Sequence, residues 1–205
     1  MPPEPRLVPR FAAEPPQDPP PYGRWEERLR EEFLSAARQL DGPEDLGEPD
    51  GIVWYPDRSW HGRSYVPATA ATSGGYELFG YVRYLVGGGE RGEVIASVDF
   101  TEETAERNPD WKLDLCDEVI GSWRGEGGAV AAMTLVWGRP LVSGGAIATA
   151  ELAGLAVDQC ELLDERFTLI APDDYRQDLL DIKLFDSAGR ELASESLYDA
   201  EDEDD

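Results

Sequence analysis

The sequence predicts a mainly β fold, an antiparallel β-sandwich with one amphipathic helix on its N-terminal side. Two observations carry this. From residue 51 onward, short segments of alternating apolar and polar residues recur between Gly, Pro, Asn and Asp. Such spacing suits many half-buried strands joined by tight turns. One stretch only, 24–41, repeats its apolar residues at three- and four-residue steps, the period of a helix.

Residues 1–23 contain nine prolines. Proline fixes φ and removes a backbone donor, so a disordered or polyproline-like arm is expected. Two P-x-x-P spacings, Pro2 to Pro5 and Pro16 to Pro19, follow from that density. In 24–41, Trp25, Leu29, Phe33, Ala36, Ala37 and Leu40 make one apolar stripe. Gly42 and Pro43 supply a stop signal. Residues 42–50 read as an acidic linker.

The β-rich domain is then expected over 51–198. Its strands are expected at 51–55, 61–68, 76–86, 93–100, 111–115, 118–124, 129–137, 146–151, 154–161, 166–171, 179–185 and 190–197. Val94, Ala96, Val98 and Phe100 alternate with Ile95, Ser97 and Asp99, which fits one wet and one dry face. Residues 101–107 are expected to form one helical turn. Gly87–Gly89 and Gly125–Gly128 read as hairpin turns. The last seven residues, 199–205, hold six acids and one Ala and read as a disordered tail.

Near the C-terminus a strand at 167–171 runs into Pro172, Tyr175, a second strand, a turn at 186–190 and a third strand. This order resembles the last hairpin of an immunoglobulin-like domain, with Tyr175 in the place of the corner tyrosine. The Pro-to-Tyr spacing is one residue shorter than in the fibronectin-type pattern, and there is no Cys–Trp–Cys signature. The resemblance implies a sandwich and carries no function with it.

The formal charge is −25, from 18 basic and 43 acidic residues. That disfavours nucleic acid and anionic membranes, which need clustered cations. Residues 92–118 hold nine acids against two bases, and residues 151–198 hold twelve against four. Residues 51–91 are nearly neutral. The uneven distribution predicts that the acidic blocks converge on a face for a basic protein partner. Lysine occurs twice, against sixteen arginines, a composition expected of a GC-rich bacterial genome. No charged stretch followed by an apolar run opens the chain, and no run of 18 apolar residues occurs, so a cytoplasmic location without membrane contact is expected. Cys116 and Cys160 are too few for a zinc site or a disulfide framework.

One histidine, His61, excludes two-histidine acid–base schemes. No G-x-S-x-G elbow or G-K-[ST] phosphate loop occurs, and no cofactor is expected. Close carboxylates are frequent: Glu102-Glu103, Asp117-Glu118, Asp164-Glu165 and Asp173-Asp174. Calcium loops are absent, although Asp173, Asp174 and Asp178 lie close in sequence. The segment best suited to a small ligand interleaves aromatic and cationic groups: Trp54, Tyr55, Arg58, Trp60, His61, Arg63 and Tyr65, followed by aromatics up to Tyr84. Such groups stack on sugars or bases; they also fill cores.

Three functional readings follow. The first is a non-enzymatic protein-binding module, an adaptor, inhibitor or immunity-like protein presenting an acidic surface. The second is a small-ligand or carbohydrate-binding β-domain centred on 54–84. The third is a hydrolase using carboxylates.

Overall fold

The computed structural model describes residues 24–86, 92–125, 128–174 and 179–197. The proline-rich arm, the acidic tail, Tyr175, Asp178 and the tips of the two glycine-rich turns lie outside the described residues. The fold is mainly β, with antiparallel sheets and one helix near the N-terminal end.

Helix α1 (Arg24–Ala37) ends four residues before the expected stop. Its last turn tightens, with Gln39 N–H donating to Ala36 and Leu40 N–H to Ala37. Leu29 and Phe33 on its apolar stripe are fully buried. Trp25 meets Tyr84 edge-on at 5.0 Å, and Phe33 meets Trp54 at 6.0 Å.

The strands form three sheets. The first joins β1 (Val53–Trp54), β2 (Arg58–Trp60), β3 (Arg63–Ala71), β4 (Glu77–Leu85) and β5 (Val94–Thr101). Its order is β1-β3-β4-β5, with β2 also paired to β3. The middle sheet is β10-β7-β6, from β6 (Leu113–Arg124), β7 (Val130–Pro140) and β10 (Phe167–Asp173). The third is β12-β11-β8-β9, from β8 (Ile147–Leu152), β9 (Leu155–Glu161), β11 (Leu180–Phe185) and β12 (Glu191–Ser196).

Three apolar cores fix the layer order. Leu29 and Phe33 of α1 pack with Trp54, Val66, Leu78 and Val82 on one face of the first sheet. Tyr65 and Tyr81 on its other face meet Met133, Leu135, Trp137 and Ile170 of the middle sheet. Val136, Phe167 and Leu169 on the far face of the middle sheet pack with Ala148, Ile182 and Leu184 of the third. The stack therefore runs helix, first sheet, middle sheet, third sheet. Every residue of β10 is buried, as expected for a strand covered on both faces.

Strands β6 to β12 divide first, second and fifth against third, fourth, sixth and seventh. Tyr175, which carries the immunoglobulin-like resemblance, lies outside the described residues.

The structure departs from these expectations at four places. Strand β2 was not expected, because Pro56 and Asp57 make its surroundings read as a loop. His61 and Gly62, with φ of 51° and 71°, form a two-residue hairpin turn between β2 and β3 instead of opening a strand. The segments 111–115 and 118–124 fall mostly within one strand, whose ladder to β7 runs on through Cys116 and Asp117 and is bulged at Ile120. Residues 101–107 contain a turn but no helix.

The edges of all three sheets meet at one ion pair. Arg58 of β2 is 2% exposed and donates to both carboxylate oxygens of Asp158 on β9. Asp158 also accepts the N–H of Ile170 on β10 at 2.9 Å. Removing one member strands a buried charge, so Asp158→Asn is expected to lower stability by about 3 kcal/mol or more. Urea denaturation measures this. A joint Arg58→Met and Asp158→Leu replacement should recover part of the loss.

Candidate interaction surface

The aromatic and cationic segment is largely interior. Trp54 packs under α1. Tyr55, Trp60 and Tyr65 fill the core between the first and middle sheets. Arg58 is held by Asp158. The Trp60 indole lies where a side chain on Gly121 of β6 would project, 2.7 Å from the Cβ position, and its other neighbour is the His61 ring at 4.2 Å. Only His61 and Arg63 of the seven are exposed. The rings that would grip a sugar or base therefore have protein on their faces.

The paired carboxylates separate as strand geometry requires. Asp117 and Glu118 point to opposite faces of β6. Asp164 and Glu165, with φ of 49° and 59°, are the two central residues of the turn closed by Leu163 and Arg166. Asp173 is buried and accepts the N–H groups of Asp174 and Leu180. Among the described residues no cluster of three ligating side chains suits a metal ion. Cys116 and Cys160 are free thiols in different cores.

Function at a β-stack can reside in its edges, which carry unpaired backbone groups. Among the described residues the three sheets have six edges, and five of them carry a blocking feature. The β1/β2 side is two short pieces broken by Pro56. Ile120 bulges β6, Val157 bulges β9 and Leu192 bulges β12. On β10 the Asp158 carboxylate takes the Ile170 N–H.

The sixth edge is β5. Its register with β4 runs unbroken from Glu77 opposite Thr101 to Tyr84 opposite Val94. It has no bulge and no proline. A groove of about 400 Å³ follows its outer side, floored by Val94–Val98 and walled by Glu32, Ser35 and Ala36 of α1 and by Gln39 just beyond it. Arg28 of α1 donates to the carbonyl of Gly92 at 2.7 Å, fixing the helix beside the strand.

Three residues of the first acidic block and one of the second, Glu195, lie on this same side. Asp99 of β5 faces the middle sheet, beside Glu118 of β6. Burial raises the Glu118 carboxyl above the usual range, and Asp99 and then Asp117 raise it further. Asp117, on the opposite face of β6, shares a cleft of about 250 Å³ with Glu195 of β12, walled by Trp111, Leu113, Leu115, Ser196 and Leu197. Leu113, Leu115 and Asp117 continue one face of β6, as Ala193, Glu195 and Leu197 continue one face of β12. Two carboxylates thus occupy positions where the strand pattern calls for apolar residues. Among the described residues no base forms an ion pair with Asp99, Glu118, Asp117 or Glu195.

A second polar group lies at the far end of the same interface. Arg139 pairs with Asp114 at 2.9 Å. Nearby Glu77 is pushed up to about 7, by burial first and then by Asp114, against the pull of Arg139. Burial also drives the Cys116 thiol upward, which makes it a poor nucleophile. A carboxyl whose folded value exceeds its unfolded one holds its proton more tightly in the fold. Glu77 therefore stabilises most below its ordinary value near 4.5, and that stability is lost as pH rises to about 7. Glu77→Gln should raise the thermal midpoint at about pH 8, with the gain shrinking on acidification and gone near pH 4.5.

No helix among the described residues is long and apolar enough to cross a membrane. No family model matches the chain, and neither a curated protein nor a solved structure matches it.

Proposed function

We propose that this chain is a protein-binding module that receives a basic segment of a partner protein on the side formed by β5, β6 and β12. One observation carries the reading. Asp99, Glu118, Asp117 and Glu195 come from acidic blocks far apart in sequence, yet they form a row across the edges of the three sheets. Part of that row is desolvated and mutually repelling, which costs stability in the free protein. Perturbed groups without an internal partner mark functional surfaces more often than chance. A partner carrying Arg or Lys would relieve the repulsion, and the overall charge would speed its encounter.

The adaptor, inhibitor and immunity-like roles all use this kind of contact, and the reading extends to each of them. The burial of Trp54, Tyr55, Trp60 and Tyr65 favours this reading over the small-ligand one.

The test joins binding to stability. In Asp99→Asn, Asp117→Asn, Glu118→Gln and Glu195→Gln combined, affinity for an arginine-rich peptide should fall at least about tenfold at low salt. The thermal midpoint near pH 8 should stay level or rise, since neutral side chains remove repulsion. Raising salt should weaken the parent far more than the variant. Unchanged binding in the variant would sink the proposal.

A further inference from the structure

We infer that the basic segment binds as an additional strand on β5, antiparallel or parallel to it, with alternate side chains read by two different surfaces. This rests on the proposed acidic side and names its mode of recognition.

The backbone makes the first argument. β5 is an eight-residue strand whose outer edge is straight, while the other five sheet edges are bulged, interrupted or capped. An extended segment laid along β5 satisfies edge N–H and C=O groups as an internal strand would. The groove beside β5 runs along five successive residues, Val94–Val98, which is room for a strand and not only for a side chain.

The side chains make the second argument. On β5, Val94, Ala96 and Val98 face the helix, and Ile95, Ser97 and Asp99 face the middle sheet. An added strand repeats that alternation, because neighbouring strands place opposed residues on the same face. Its helix-side residues meet Ser35, Ala36 and Gln39 and should be small or β-branched. Its other residues approach Asp99 and Glu118 and should be Arg or Lys. The segment that fits is extended, proline-free and basic where it passes Asp99 and Glu118.

Two rival occupants fit less well. A second copy of β5 would add a second Asp99 to the edge and supply no cation, under the repulsion of two chains of charge −25. The chain's own first 23 residues have no proline-free run longer than Arg10–Glu14, too short to match β5.

The experiment uses the full chain and a capped octapeptide of alternating Arg and Val, with two isomers carrying N-methyl groups. One isomer is methylated on every Arg amide, the other on every Val amide. In an edge-paired strand, alternate N–H groups point at the neighbour, so only one isomer loses its ladder. The expected result is that one isomer binds at least about tenfold more weakly than the other, from the loss of several backbone hydrogen bonds. Backbone amides of β5 should exchange at least about tenfold more slowly when the unmodified peptide is bound. Equal affinity of the two isomers, with no slowing in β5, would overturn strand addition and leave the acidic-side reading standing. Failure of the unmodified peptide to bind at any salt would instead overturn that reading. A concentration-dependent dimer that protects β5 amides without peptide would also overturn strand addition, since a second copy would then own the edge.

Discussion

A three-stranded sheet with apolar side chains on both faces has to be covered twice. β7 and β10 are in that position. Met133, Leu135, Trp137 and Ile170 point one way and Val136, Phe167 and Leu169 the other. Neither neighbouring sheet can be lost without exposing a face of the middle one. The burial of each large apolar side chain is worth about 1.5–3 kcal/mol, so these two faces dominate the favourable side of folding. The N-terminal unit of α1 and β1–β5 is therefore part of the same packed stack as the seven-strand sandwich. Its second face, in turn, requires α1.

Stacking three sheets multiplies edges, and the chain manages them unevenly. On one side, β2, β10 and β9 converge, and Arg58 with Asp158 closes that seam. The ion pair replaces a missing strand, since Asp158 accepts the outward N–H of Ile170. A buried pair of this kind gives little net stability but is costly to break, which suits a device that fixes how layers align. On the other side, β5, β6 and β12 carry acids in place of a seal. Bulges blunt β6 and β12. Among the described residues only β5 keeps a regular edge, and the helix leaves a groove beside it.

Most of the fold was legible in the sequence because alternation is a local signal. Val94–Phe100 alternates cleanly and became β5 with a one-residue shift. The failures come where a local pattern is broken on purpose. Cys116 and Asp117 interrupt the apolar run of β6 and split it into two apparent strands, although its ladder to β7 continues through both. His61 and Gly62 turn the chain in two residues, so β2 was hidden between Pro56 and the turn. The site was less legible, for a different reason. Trp54, Tyr55, Trp60 and Tyr65 announce themselves by chemistry, yet their rings are the packing between layers. Being an edge strand is a property of which strands pair, and no window around Val94 contains it. A weaker signal was present: Asp117 and Glu195 interrupt runs that read Leu113, Leu115 and Ala193, Leu197, placing charge where the period calls for core.

Those two interruptions bear on why acidity and an open edge coexist. An unguarded edge invites any extended chain, including a second copy of itself. Inward-pointing and edge charges are a common guard, usually supplied by lysine. Here the guard is acidic, and that choice decides who is excluded. A neutral strand gains nothing from the row of carboxylates, whereas a basic strand gains where it passes Asp99 and Glu118. Specificity as a difference of affinities needs such a repulsive element as much as an attractive one. The desolvated carboxylates weaken the free protein at neutral pH, and that cost is the same feature that makes the edge selective.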